Sequence, residues 1–127
     1  MNIKKLVVGS MFSMLLGSEM AAADWGDVYY CQMTNLLDIT LEGEKRNYKL
    51  EKFQFKLDQT KNAMVFGSTG YFKDSVIELV KGRNWLKLEV WFAKDEYSMT
   101  YFEGGKLLNT YNNSLGAVVV SADCDKF

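Results

Sequence analysis

The side chains of this sequence with the means to do acid–base chemistry are its carboxylates. It has no histidine, the side chain that ordinarily titrates near neutral pH and the commonest zinc ligand. Three carboxylate pairs stand close together: Asp95 with Glu96, Asp123 with Asp125, and Glu42 with Glu44. Glycoside hydrolysis, the chemistry such pairs suggest, needs two carboxyl groups held about 5–10 Å apart in a cleft. These pairs fall in charged turns or beside Cys124, where acidic residues solvate a surface or protect a strand edge, and so small a chain has little room for a cleft. Gly67-Ser68-Thr69-Gly70 has the glycines of a phosphate loop but neither its lysine nor a helix after it. Asn112-Asn113-Ser114 is formally a glycosylation acceptor, meaningful only in a eukaryotic secretory pathway. These residues predict a non-enzyme without a metal site or cofactor.

Two cysteines remain, Cys31 and Cys124. They lack the C-x-x-C spacing of a redox pair. In an exported chain, two distant cysteines read as a structural disulfide. Bridging brings their Cα atoms within about 7 Å, so the first and last strands must be neighbours or face each other across a thin sandwich.

Export is what the N-terminus predicts. Met1-Asn2-Ile3-Lys4-Lys5 is a basic start, Leu6 to Leu16 is mostly apolar, and Gly17 to Ala23 ends on three alanines. This is the order of a cleaved signal peptide. The apolar run is shorter than the ~20 residues a membrane span takes. The expected division is a signal peptide over 1–23 and one domain over 24–127, without a membrane span in the mature chain. The whole sequence has 15 basic and 16 acidic residues, alternating in sign along the chain. That balance lacks the basic footprint of a nucleic-acid binder.

The elements that position these residues read as strands throughout. From Tyr29 to Leu41 the odd positions are mostly apolar and the even ones mostly polar, with Tyr30 and Leu36 out of phase. Such alternation marks a half-buried strand or a bent pair of strands. The apolar parity then flips between Leu50 and Phe53, which predicts a bulge or kink near Glu51-Lys52. Further β segments cover 53–57, 63–66, 71–72 with 76–80, 85–92, 98–103, 106–111 and 117–124. Gly104-Gly105 between two extended runs predicts a tight hairpin. The count is roughly eight strands with frequent turns and no helix. This predicts an all-β, antiparallel barrel, with a β-sandwich as the alternative.

One stretch suggests a binding surface. In 85–92, Leu86, Leu88, Val90 and Phe92 share one face, and Trp85, Lys87, Glu89 and Trp91 share the other. If the first face is the core, two indoles are exposed beside two charges, as on a binding surface. Otherwise the segment around Trp25 covers them. The layout resembles the periplasmic inhibitors of C-type lysozyme, through Tyr29-Tyr30-Cys31 near the start and Ser121-Ala122-Asp123-Cys124 near the end. That resemblance implies an exported β-barrel that binds and inhibits a protein. The inhibitory motif of that family, Ser-Gly followed shortly by Tyr, is replaced here by Ser68-Thr69-Gly70-Tyr71. The residues as a whole predict an exported binding or inhibitory module. The alternatives are a carrier of a small apolar ligand and a structural part of an extracellular or virion assembly.

Overall fold

The computed structural model describes residues 22–80 and 90–127. Apart from Ala22 and Ala23, the expected signal peptide lies outside the described residues. Within them the chain is all β. Nine strands form one antiparallel sheet: β1 (Val28–Thr40), β2 (Lys45–Asn47), β3 (Lys52–Asp58), β4 (Ala63–Phe66), β5 (Val76–Val80), β6 (Trp91–Lys94), β7 (Ser98–Glu103), β8 (Lys106–Asn113) and β9 (Gly116–Lys126). The order is β2-β1-β3-β4-β5-β6-β7-β8-β9, and β1 also pairs with β9. Eight strands therefore close a barrel, and β2 is an extra strand on the edge of β1. Among the described residues no helix is long and apolar enough to cross a membrane.

Closure rests on β1 and β9, which pair from Tyr29–Lys126 to Thr40–Gly116. Cys31 lies directly opposite Cys124, with Cα atoms 4.0 Å apart and the side chains bonded as a disulfide. The Phe127 amide donates to the Val28 carbonyl. By alternation along the ladder, the cysteines occupy a non-hydrogen-bonded pair, where opposed side chains approach most closely.

The register changes once in this ladder, between Met33 and Asn35. Tyr29, Cys31 and Met33 point inward, Thr34 and Asn35 are both exposed, and Leu36 is inward again. This bulge corrects the single alternation expected from Tyr29 to Leu41. It explains why Leu36 looked out of phase, and it leaves Leu41 exposed. The parity flip between Leu50 and Phe53 coincides with the gap between β2 and β3. Both segments keep one register against β1, with the Tyr48 amide on the Leu36 carbonyl and the Met33 amide on the Glu51 carbonyl. Gly104 and Gly105 both have positive φ and turn β7 into β8, as the hairpin signal predicts.

The barrel interior is filled by rings. Tyr29, Phe55 and Phe102 pack within 4.7–5.4 Å of one another at one level. Phe53, Phe66 and Phe72 form the next level, with Phe72 4.9 Å from Phe53 and 4.6 Å from Phe66. Leu57, Met64, Leu107, Val120 and Ala122 pack in the same core. Two buried polar side chains inside it satisfy each other, Asn109 Nδ2 donating to Thr100 Oγ1 at 2.7 Å. An eight-stranded barrel is just wide enough for side chains to fill, and burying each ring contributes roughly 1.5–3 kcal/mol.

Tyr71 and Phe72 depart from the expected strand. They belong to a loop, 67–75, closed on itself by backbone bonds from Asp74 to Gly67, Lys73 to Gly70 and Ser75 to Phe72. A strand would have set the two rings on opposite faces of the wall. The loop separates them as well, but by dropping Phe72 into the barrel mouth, buried, while Tyr71 stays exposed.

Candidate functional site

The strands run alternately up and down, so their connections gather at two ends. One end carries the turn after β1, the 67–75 loop, the turn between β6 and β7, and the turn between β8 and β9. Four of the seven tyrosines stand at this end: Tyr48, Tyr71, Tyr97 and Tyr111. The first three are exposed and Tyr111 is half-buried. Because β1 and β9 are the longest strands, their wall rises above the mouth on one side. The loop holding Phe72 stands on the other side, on the shorter β4 and β5.

Three of these tyrosines are held by hydrogen bonds to carboxylates. On the tall wall the Asp38 carboxylate accepts two bonds from Arg46, at 2.9 and 2.8 Å, and one from the Tyr48 hydroxyl at 2.8 Å. The arginine, then the phenol, hold the Asp38 carboxyl below the usual carboxylate range. The same bond to Asp38 raises the Tyr48 phenol, with burial adding to it. The Tyr71 amide donates to Glu51 Oε1 at 2.8 Å, and burial, then the neighbouring Tyr111, raise the Tyr71 phenol. Asp95 accepts the amides of Tyr97 and Ser98 at 3.0 and 2.8 Å, fixing the β6–β7 turn. The rings of Tyr97 and Tyr111 lie 6.3 Å apart. Leu41 and Leu115 protrude from two adjacent turns, which are joined by the Leu41 amide on the Leu115 carbonyl at 3.2 Å.

Of the surface predicted over 85–92, Trp85, Lys87 and Glu89 lie outside the described residues. Trp91 is placed, and it corrects the face assignment. Its cross-strand partner is the buried Phe102, and Ala93, on the same side, is fully buried opposite Thr100. Trp91 therefore packs on the core, and the Trp25 ring meets it edge-on at 5.0 Å. Phe92 faces outward instead and stacks on the exposed Tyr101 at 4.7 Å. The carboxylate pairs do not converge on a site. Asp95 holds its turn, Asp123 pairs with Lys106 at 2.6 Å on the surface, and Glu42 and Glu44 are exposed. Among the described residues no group of three or more acidic, histidine or cysteine side chains is placed to hold a metal ion.

The tyrosine end is absent from the sequence reading, because its members are far apart in the chain. The available signal was that Tyr48, Tyr71 and Tyr97 each adjoin charged or glycine-containing turn residues. Ser68-Thr69-Gly70-Tyr71 lies in the 67–75 loop and so belongs to this end. Fold and core together define a closed eight-stranded antiparallel barrel with aromatic rings packed inside it. The chain matches no protein-family model, and comparisons with curated proteins and with solved structures find no match.

Proposed function

We propose that this chain is an exported, non-enzymatic module that binds a protein partner through the tyrosine-bearing end of its barrel. The observation that carries this reading is the gathering of Tyr48, Tyr71, Tyr97 and Tyr111 around one mouth, with the Tyr48 hydroxyl bonded to Asp38 and the amides of Tyr71 and Tyr97 held by Glu51 and Asp95. Tyrosine offers a large amphipathic contact surface at low entropic cost. A surface ordered before contact binds more tightly than one ordered by it. Four tyrosines and two leucines present several hundred Å² against the roughly 800 Å² each partner contributes to a standard interface. The filled interior speaks against a carrier of small apolar ligands. Export is supported by the leader-like start of the sequence and by the disulfide, which suits an oxidising compartment.

The test uses tagged protein made in its own host. Its first residue should be Asp24, and an intact Met1 in the soluble protein would remove the export reading. Partners captured by the parent, by a Tyr71→Ala/Tyr97→Ala variant and by Lys61→Ala at the opposite end are then compared. The reading requires a partner kept by the parent and by Lys61→Ala but lost by the double variant. A partner kept equally by all three refutes it. C-type lysozyme is the first candidate to assay directly, on the two short segments of resemblance.

A further inference from the structure

On the outer wall of the barrel, away from the tyrosine end, lies a groove of about 500 Å³ crossing β7, β8, β9 and β1. Its middle is a cross-strand row on the outer face, with Tyr101 opposite Leu108, Leu108 opposite Ser121, and Ser121 opposite Asn35. Tyr101 and Leu108 remain 45 and 43 % exposed. Phe92 stacks on Tyr101 and holds that ring as a wall.

The polar ends of the groove are built as well. At one end the bulge in β1 turns both Thr34 and Asn35 outward, where a regular strand would have sent one of them into the core. Both bond to the same hydroxyl, Thr34 Oγ1 with Ser121 Oγ at 2.6 Å and Asn35 Nδ2 donating to Ser121 Oγ at 2.8 Å. Bulges are known for re-aiming side chains in this way beside functional sites. Along the side runs a second row, Glu103, Lys106 and Asp123, with Lys106 and Asp123 paired at 2.6 Å. Hydroxyl, ammonium and carboxylate groups thus surround an aromatic and aliphatic floor. The carboxylates accept hydrogen bonds and the ammonium donates them.

We infer that this groove binds a short oligosaccharide. A pyranose ring has one face of C–H groups, which suits the Tyr101 ring and Leu108, and a rim of hydroxyls that both donate and accept. Such hydroxyls pair with Asp123 and Lys106 on one side and with Thr34 and Ser121 on the other. An extended peptide fits less well, because β7, β8, β9 and β1 are each paired on both sides where they form the groove. They leave no main-chain edge for a peptide to join. The site is separate from the tyrosine end and stands whether or not that end binds a protein.

Backbone amide spectra of the purified, disulfide-bonded protein, titrated separately with maltotriose, cellotriose and chitotriose to roughly 10 mM, test it. One of the sugars should move the amides of Tyr101, Leu108 and Ser121 and leave those of Tyr71 and Tyr97 in place. Tyr101→Ala should weaken that sugar by about tenfold or more, and Lys61→Ala should leave it unchanged. Ser121→Ala is the second variant, with a smaller loss in the same direction, and decides the matter if Tyr101→Ala does not fold. The inference is overturned if none of the three sugars moves those amides, if the shifts lie elsewhere, or if the folded groove variants bind as the parent does. An unstructured peptide that moves the same amides where the sugars do not would reassign the groove.

Discussion

Removing the Cys31–Cys124 bond by Cys31→Ala with Cys124→Ala tests how the barrel is held closed. The bond spans 93 residues. With a loop of that length, the chain-entropy relation gives about 4.7 kcal/mol of stabilisation at 25 °C, through restriction of the unfolded chain. Both cysteines are nearly fully buried, so the alanines add a packing loss on the order of 1 kcal/mol. Domains of this size have roughly 5–15 kcal/mol in all, so the variant should be folded but close to its limit. It should keep a β-rich circular dichroism spectrum, because the β1–β9 ladder is made by backbone groups on either side of the bond. In urea, with a slope of about 1–3 kcal/mol per M, the midpoint should fall by roughly 2–6 M. The slope itself should rise, since the unfolded chain without the bond exposes more surface. A fall in stability below about 1 kcal/mol would refute the reasoning. It would mean that the unfolded chain is already held compact by something other than the bond.

Three further outcomes follow from particular residues. Phe72→Ala should cost about 3–5 kcal/mol in urea and speed hydrogen exchange across 67–75, because the ring is what anchors that loop in the mouth. Gly116→Ala should cost about 1–3 kcal/mol, since φ is +149° and an added Cβ would collide with the Ile39 carbonyl oxygen. Stability against pH should be nearly flat from about pH 6 to 9, where only the α-amino group titrates at ordinary values. Tyr29, Tyr48 and Tyr71 have phenols raised above the ordinary value, Tyr29 chiefly by burial, then by Asp27. Their contribution is present below about pH 10 and lost as pH rises through the native values. Asp38, lowered, acts in the opposite sense and loses its contribution as pH falls through its native value. Ultraviolet titration of the phenols should show a late-ionising fraction that vanishes on unfolding. A sharp fall in stability between pH 6 and 8 would instead reveal a raised carboxyl group and return catalysis to consideration.

What the sequence made legible was whatever depends on neighbours along the chain. Period-two alternation located β3, β7 and β8, and paired glycines located the β7–β8 turn. The choice between barrel and sandwich rested on Cys31 and Cys124, and the β1–β9 ladder decides it. What the sequence hid depends on register between strands. The bulge at Thr34 shows locally only as Leu36 falling out of phase, which by itself does not say where the extra residue sits. The direction of Trp91 is set by Phe102 and Thr100 on the next strand, not by its own neighbours. Tyr71-Phe72 looks like a strand pair because its hydrophobicity is right for one. What the sequence does not show is that the backbone bonds of a loop, and not a strand ladder, put Phe72 in the mouth and Tyr71 outside it. The tyrosine end and the outer groove are assembled in the same way, from residues on strands far apart in sequence.

The pairing of β1 with β9 also fixes an order of events in time. β1 cannot find its partner, and Cys31 cannot find Cys124, until Gly116–Lys126 has joined the rest of the chain. Contacts between such distant segments make folding slow compared with local β-hairpin formation. A chain that cannot close early stays open until its last strand is present, and its barrel and its covalent lock form together only then.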